Sequence, residues 1–127
     1  MVKTLAFIGF GGFLGSITRY LISRYFQLHL AALFPWGTFV VNLAGCFLLG
    51  VVYSLSEKGN LLSPELRLFL AVGFCGGFTT FSTFSHDALM LAQQQEWLRF
   101  SLYASLSFFL GLAAVFAGKI VIQLLWP

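Results

Sequence analysis

The chain has 127 residues, of which 59% are hydrophobic and 9% charged, with a mean hydropathy of +0.91 and a formal charge of +3. A soluble domain carries about 25% charged residues, and a chain this short cannot bury so much apolar surface. These figures exclude a soluble globular enzyme; the scatter of the seven Lys and Arg residues excludes a disordered chain or a nucleic-acid binder, and an integral membrane protein is left.

No Asp, Glu, Lys or Arg occurs from Thr4 to Thr18, from Tyr25 to Ser56, from Leu68 to His86, or from Phe100 to Gly118. A spanning helix needs about 20 mostly apolar residues. The pattern predicts a single all-α domain, 1–127, with four transmembrane helices at roughly 4–26, 36–56, 66–91 and 98–125. Trp36, Trp97 and Trp126 fall at predicted helix ends, as an interfacial aromatic belt requires. The loops carry His29 to Pro35, Glu57 to Pro64, and Gln93 to Glu96.

The first segment begins like a signal peptide but has no A-x-A-like cleavage site. Gly9, Gly11, Gly12 and Gly15 interrupt its apolar run, so it is read as the first span. Gly11-x-x-x-Gly15 is a small-residue pair of the kind that lets membrane helices approach. Arg19 lies toward the end of this span. It either snorkels to the headgroups or supplies an anion-attracting charge at a pore mouth.

In the second span, Asn42 stands at mid-membrane depth and needs partners for its amide. It can glue two helices together or offer its NH₂ to an anion. Ser63-Pro64-Glu65 reads as an N-cap followed by Pro at the first helical position of the third span. The centre of that span, Gly73-Phe74-Cys75-Gly76-Gly77-Phe78-Thr79-Thr80-Phe81-Ser82-Thr83-Phe84-Ser85, is a poor helix former. Irregular backbone at this depth is tolerated only where protein buries it or a cavity is lined. A broken helix is therefore predicted, and a break frees carbonyls for a cation and N–H groups for an anion. Phe81 and Phe84 share a face if the helix resumes, and their ring edges carry partial positive charge. In the fourth span, Tyr103, Ser107 and Gly111 form one stripe, while Ser101 and Ser105 form another.

Cys46 and Cys75 lie in apolar runs without metal spacing and read as packing residues; His29 and His86 have no ligand set beyond the adjacent Asp87. No catalytic constellation occurs, so the chain is not expected to be an enzyme. No carboxylate stands in mid-span. That argues against a proton-driven exporter and for passive permeation. With four spans, both termini share one side, which holds Lys3, Lys58, Arg67 and Lys119 against Arg19, Arg24 and Arg99 opposite. Four against three gives little orienting bias, which leaves dual insertion open. A four-helix unit is also too thin to enclose an aqueous path alone, so homo-oligomerisation is expected.

Three ordered motifs resemble the Fluc (CrcB-type) family of small fluoride ion channels along the whole chain. They are Gly12-x-x-Gly15-x-x-x-Arg19-Tyr20, Gly37-Thr38-x-x-Val41-Asn42-x-x-Gly45, and Gly73-Phe74-x-Gly76-Gly77-Phe78-Thr79-Thr80-Phe81-Ser82-Thr83-Phe84. The resemblance implies an antiparallel, dual-topology homodimer with two pores, multi-pass in the plasma (inner) membrane, exporting fluoride passively. It implies that Phe81 and Phe84 edge the ion path and that Asn42 donates to the ion. It further implies that backbone carbonyls of Gly76 and Thr79 hold a central structural sodium. It also implies that Tyr103 and Ser107 begin a polar track, and this chain has Gly111 and Val115 where some relatives continue it with hydroxyls. A fluoride pore must replace water with donors, here the Asn42 amide, hydroxyls such as Ser82 and Thr83, and aromatic edges. No acidic residue should line the path. Membrane lipid and the second copy are the expected partners, with no nucleic acid and no obligate protein partner. A small multidrug-type exporter would need a glutamate in the first span, which has none. A non-transporting assembly subunit is the other alternative.

Overall fold

The computed structural model describes residues 1–59 and 61–127; Asn60, in the loop expected between Glu57 and Pro64, lies outside them. Four helical segments are long and apolar enough to cross a membrane: Val2–His29, Trp36–Glu57, Pro64–Gln93 and Trp97–Leu125. The first two are α1 and α2. The third is composite. It contains a helical turn at Pro64–Arg67, a π-helical stretch at Leu68–Cys75, one more turn at Gly76–Phe78, and then α3, Phe81–Gln93. The fourth is α4, Trp97–Leu125. No strand occurs among the described residues.

Local chemistry sets the ends of these elements. Ser63 caps the third span, its Oγ accepting the Leu66 amide at 3.1 Å with Pro64 in the first turn. This satisfies a donor that has no partner within the helix. α1 runs on to His29, where the imidazole stacks on Tyr25 with ring centroids 4.2 Å apart. Ion pairs sit at helix ends: Lys3–Glu65 at 3.8 Å, Glu96–Arg99 at 2.6 Å and Lys119–Glu57 at 3.4 Å. All are solvent-facing and contribute little to stability.

Glycine governs how closely the spans pack. α2 packs most extensively on α4, and α1 on the π-helical stretch. At the first interface, a Cβ on Gly50 would collide with the Val115 carbonyl. At the second, a Cβ on Gly15 would collide with the Phe74 carbonyl. In both cases backbone lies against backbone, as in close-packed membrane helices.

The core is aromatic and lies toward the start of α2 and α4. Phe39, Leu91 and the fully buried Tyr103 form its centre, with Phe34, Phe84 and Phe100 packed around them. Outward, Phe10, Phe13, Phe108, Phe109 and Phe116 are each more than half exposed. So large an unpartnered apolar surface belongs in hydrocarbon, and the chain is a membrane protein.

Replacing Gly15 by Ala should lower the thermal unfolding midpoint in detergent, through a loss of about 1–3 kcal/mol from overpacking. Gly9 has nothing within 4 Å of the place a methyl group would take, so Gly9→Ala should leave the midpoint unchanged or raise it, by up to about 1 kcal/mol of helix propensity. Equal effects at the two sites would show that the close approach does not govern stability.

Candidate functional site

Near the centre of the third span, Thr79 and Thr80 leave the helical conformation, with φ/ψ of −85°/156° and −152°/120°. Extended backbone here withdraws amides from the carbonyls one turn earlier, and side chains take over. Asn42 on α2 meets Thr80 from both directions: its Oδ1 accepts the Thr80 amide at 2.8 Å, and its Nδ2 donates to the Thr80 carbonyl at 3.1 Å. The Thr80 hydroxyl then accepts the Thr83 amide at 3.2 Å, which caps and restarts the helix as α3. Arg19 on α1 donates its Nε–H to the Gly77 carbonyl at 3.0 Å.

The carbonyls of Gly76 and Thr79 are among those left without a helical donor. In a regular helix the Thr80 amide would close onto Gly76 and the Thr83 amide onto Thr79. The first is given to Asn42 and the second to the Thr80 hydroxyl. The Thr79 amide keeps the regular helical bond to the Cys75 carbonyl at 3.0 Å, and its hydroxyl adds a second at 2.8 Å. Gly76 and Thr79 are thus among the residues whose carbonyls lose their helical donors. Uncharged oxygens of this kind suit a hard cation.

Both residues line a groove of about 500 Å³ together with Asn42, Phe81, Phe84 and Ser107. A Cβ on Gly45 would collide with the Thr79 methyl group, so that glycine lets the interruption lie against α2. Phe81 projects outward, 78% exposed, and Phe84 turns inward; their ring centroids are 5.7 Å apart. Phe84 in turn packs on Tyr103 at 4.9 Å. One turn further along α4, the Ser107 hydroxyl is shielded and has no hydrogen-bond partner among the described residues. Ser82 shares a hydrogen bond of 3.2 Å with the Thr80 hydroxyl.

A second cavity of about 270 Å³ is lined by Arg19, Tyr20, Thr38, Thr83 and Asp87, among others. The interruption thus has the groove on one side and this chamber on the other, with Thr83 in the chamber wall and Ser107 in the groove wall.

Asn42, Phe81, Phe84, Thr79, Gly76 and Ser107 line one groove, and Tyr103 adjoins them through Phe84. Arg19 is drawn to the interruption by its bond to Gly77 and is not simply extended to the headgroups. Thr80 has no role of its own in the sequence reading, yet its backbone and hydroxyl organise the site. Asp87, to which the sequence reading gives no role, also stands near this site. Its Oδ2 accepts the Tyr103 O–H at 3.3 Å, and it lines the chamber with Arg19. The available signal is a lone acid at the edge of a charge-free run, facing a tyrosine whose buried hydroxyl needs an acceptor.

Comparison with known proteins follows the same lines. The profile of the family described as "CrcB-like protein, Camphor Resistance (CrcB)" matches residues 6–119. A protein of Bacteroides fragilis named "Fluoride-specific ion channel FluC" is 50% identical over 120 residues, covering 92% of this chain and 94% of its own. Proteins of the same name from Flavobacterium psychrophilum and Leptospira interrogans are 46% and 45% identical, covering 94% and 95% of this chain and 97% and 95% of their own.

Replacing Asn42 by Leu orphans the Thr80 N–H and C=O together, and should destabilise the purified protein by about 1–3 kcal/mol per orphaned group. Asn42→Asp keeps the acceptor for the Thr80 amide but sets a second oxygen against the Thr80 carbonyl, so its thermal midpoint should also fall below the parent's. A Leu variant as stable as the parent would mean that the amide does not hold the interruption.

Proposed function

The chain belongs to the CrcB-like family, and we propose that it is a fluoride-specific ion channel that passes fluoride passively out of the cell across the plasma membrane. The relatives' shared name, at 45–50% identity over nearly the whole chain, carries the choice of ion. On this reading the protein is a conduit and not an enzyme, and its role is to limit fluoride in the cytoplasm.

Fluoride is small and strongly hydrated, so a path for it must replace water with donors and expose no competing acceptor. Asn42 spends one Nδ2 hydrogen and its Oδ1 on Thr80, which fixes the amide and leaves its second Nδ2 hydrogen for an anion. The unpartnered Ser107 hydroxyl supplies another donor. Leaving such a group unsatisfied costs about 1–3 kcal/mol, a cost that a passing anion removes. The edges of Phe81 and Phe84 offer partial positive charge without a hydrogen-bond acceptor. The Thr83 hydroxyl adds polar surface in the chamber, Ser82 lies one helical residue before it, and the buried Tyr103 O–H is held by Asp87 beside them. Arg19 raises the local anion concentration in the chamber.

The functional unit proposed is an antiparallel homodimer with two paths, in which the groove holding Gly76 and Thr79 faces the second copy. The near-balanced Lys and Arg distribution supports dual insertion. The carbonyls of Gly76 and Thr79 from each copy would hold a central sodium. When bound, the ion supplies positive charge that relieves the mutual repulsion of four carbonyl oxygens. It has no catalytic part.

Liposomes containing only this protein should release fluoride at a rate proportional to the protein loaded, and should release chloride far more slowly. Phe81→Ile and Phe84→Ile keep bulk but remove the ring edge, so each should cut fluoride efflux at least about tenfold, the loss of one interaction near 1.4 kcal/mol. Parental flux in both variants, measured on monodisperse dimers, would remove the rings from the path. No fluoride release from the parent would remove the channel reading itself.

Reporter tags at either terminus should mark both sides of the membrane in comparable amounts. A single-sided result would exclude the antiparallel arrangement.

A further inference from the structure

We propose that Arg19 is a positioning residue for the carbonyl cation site: it commits the Gly77 carbonyl to α1 and leaves those of Gly76 and Thr79 as the acceptors on the groove. This rests on the sodium reading above. The interruption withdraws helical donors from several successive carbonyls, and only some can serve an ion on one face. Gly77 lies against α1, where a Cβ on it would come 2.6 Å from the Gly12 carbonyl. Its own carbonyl accepts the Arg19 Nε–H at 3.0 Å. Gly76, the preceding residue, has nothing within 4 Å of its Cβ position and lines the groove, as does Thr79. Neither Arg19 nor Gly77 lines that groove.

A guanidinium suits the task. It is planar, always charged, and donates from Nε in a fixed direction, so the bond is charge-assisted and sets the carbonyl's orientation. Asn42 fixes the other end of the interruption through Thr80. Gly76 and Thr79, beside these anchors, line the groove, and their carbonyls lack a helical donor.

The pore-mouth charge assigned to Arg19 and this positioning role make opposite predictions for sodium. A fixed positive charge near a cation site repels the cation, so a charge acting alone would weaken sodium binding. Removing it by Arg19→Gln would then lower the sodium concentration needed to stabilise the protein. If Arg19 orders the carbonyls, the same change should raise that concentration by about tenfold or more, the equivalent of one lost hydrogen bond to a charged group.

The experiment is a sodium titration of thermal stability on purified dimers in detergent, at constant ionic strength with a large organic cation replacing sodium. Parent protein and Arg19→Gln are compared with Arg19→Lys, which keeps the charge but not the planar Nε–H. The expected order of half-stabilising sodium concentration is parent, then Lys, then Gln. A lower or unchanged value for Arg19→Gln overturns the proposal. If the Gln variant does not fold, an unchanged value for Arg19→Lys overturns it equally. A parent protein whose stability ignores sodium would instead remove the sodium reading on which the proposal stands.

Discussion

A backbone amide or carbonyl inside the hydrocarbon finds no water, and Thr79 and Thr80 place several such groups at mid-span. Every other feature of the site answers that constraint. Asn42 substitutes for a neighbouring strand by pairing with both polar groups of Thr80. The Thr80 hydroxyl takes the amide that opens α3, and Arg19 takes the Gly77 carbonyl. Each partner comes from a different place: α1, α2 and the interruption itself. The interruption is thus a property of three spans together, and none of them could hold it alone.

That dependence explains why the glycines concentrate where they do. A side chain can reach an interruption only if the helices carrying it lie unusually close. Gly12 faces Gly77, Gly15 faces Phe74, and Gly45 faces Thr79, so the small residues of α1 and α2 converge on the same stretch. Close approach also accounts for the depth at which Arg19 is useful. Its long side chain spans the gap to Gly77, whereas a shorter donor at that position would need a still closer backbone. Packing and polar satisfaction are therefore one problem here, solved by the same residues.

The spans and the site are unequally legible in the sequence. Charge-free runs and flanking tryptophans delimit the helices because hydrocarbon excludes charge, a one-dimensional property. Gly76-Gly77 followed by Thr79-Thr80 marks poor helix, because glycine and hydroxyl residues weaken the helical ladder locally. The π-helical stretch at Leu68–Cys75 is different. Its composition, Leu-Phe-Leu-Ala-Val-Gly-Phe-Cys, is ordinary membrane helix, and the wider turn coincides with the extensive glycine-mediated contact with α1. The bonds from Asn42 to Thr80 and from Arg19 to Gly77 cross 38 and 58 residues of chain. Residue type shows that such an amide or guanidinium needs partners, while the choice of partner is fixed only by how the spans cross. Asp87 is hidden for the same reason: its partner, Tyr103, lies 16 residues away on the next helix.

The groove poses the remaining constraint. Phe81, at 78% exposure, suits lipid, but Gly76 and Thr79 line the same wall, and their carbonyls lack the amides that would complete a helix. Acyl chains would strand those oxygens, and water does not reach this depth unless a cavity admits it. A second copy related by a two-fold axis in the membrane plane presents the same wall to itself. It would cover the apolar rings of each copy with those of the other, and it would bring like carbonyls together at the axis. That closeness would repel without a cation between them. The proposed dimer and the proposed sodium are thus mutually dependent. In that proposal the antiparallel pair would bury the groove, and the cation would make a pair built on facing carbonyls stable.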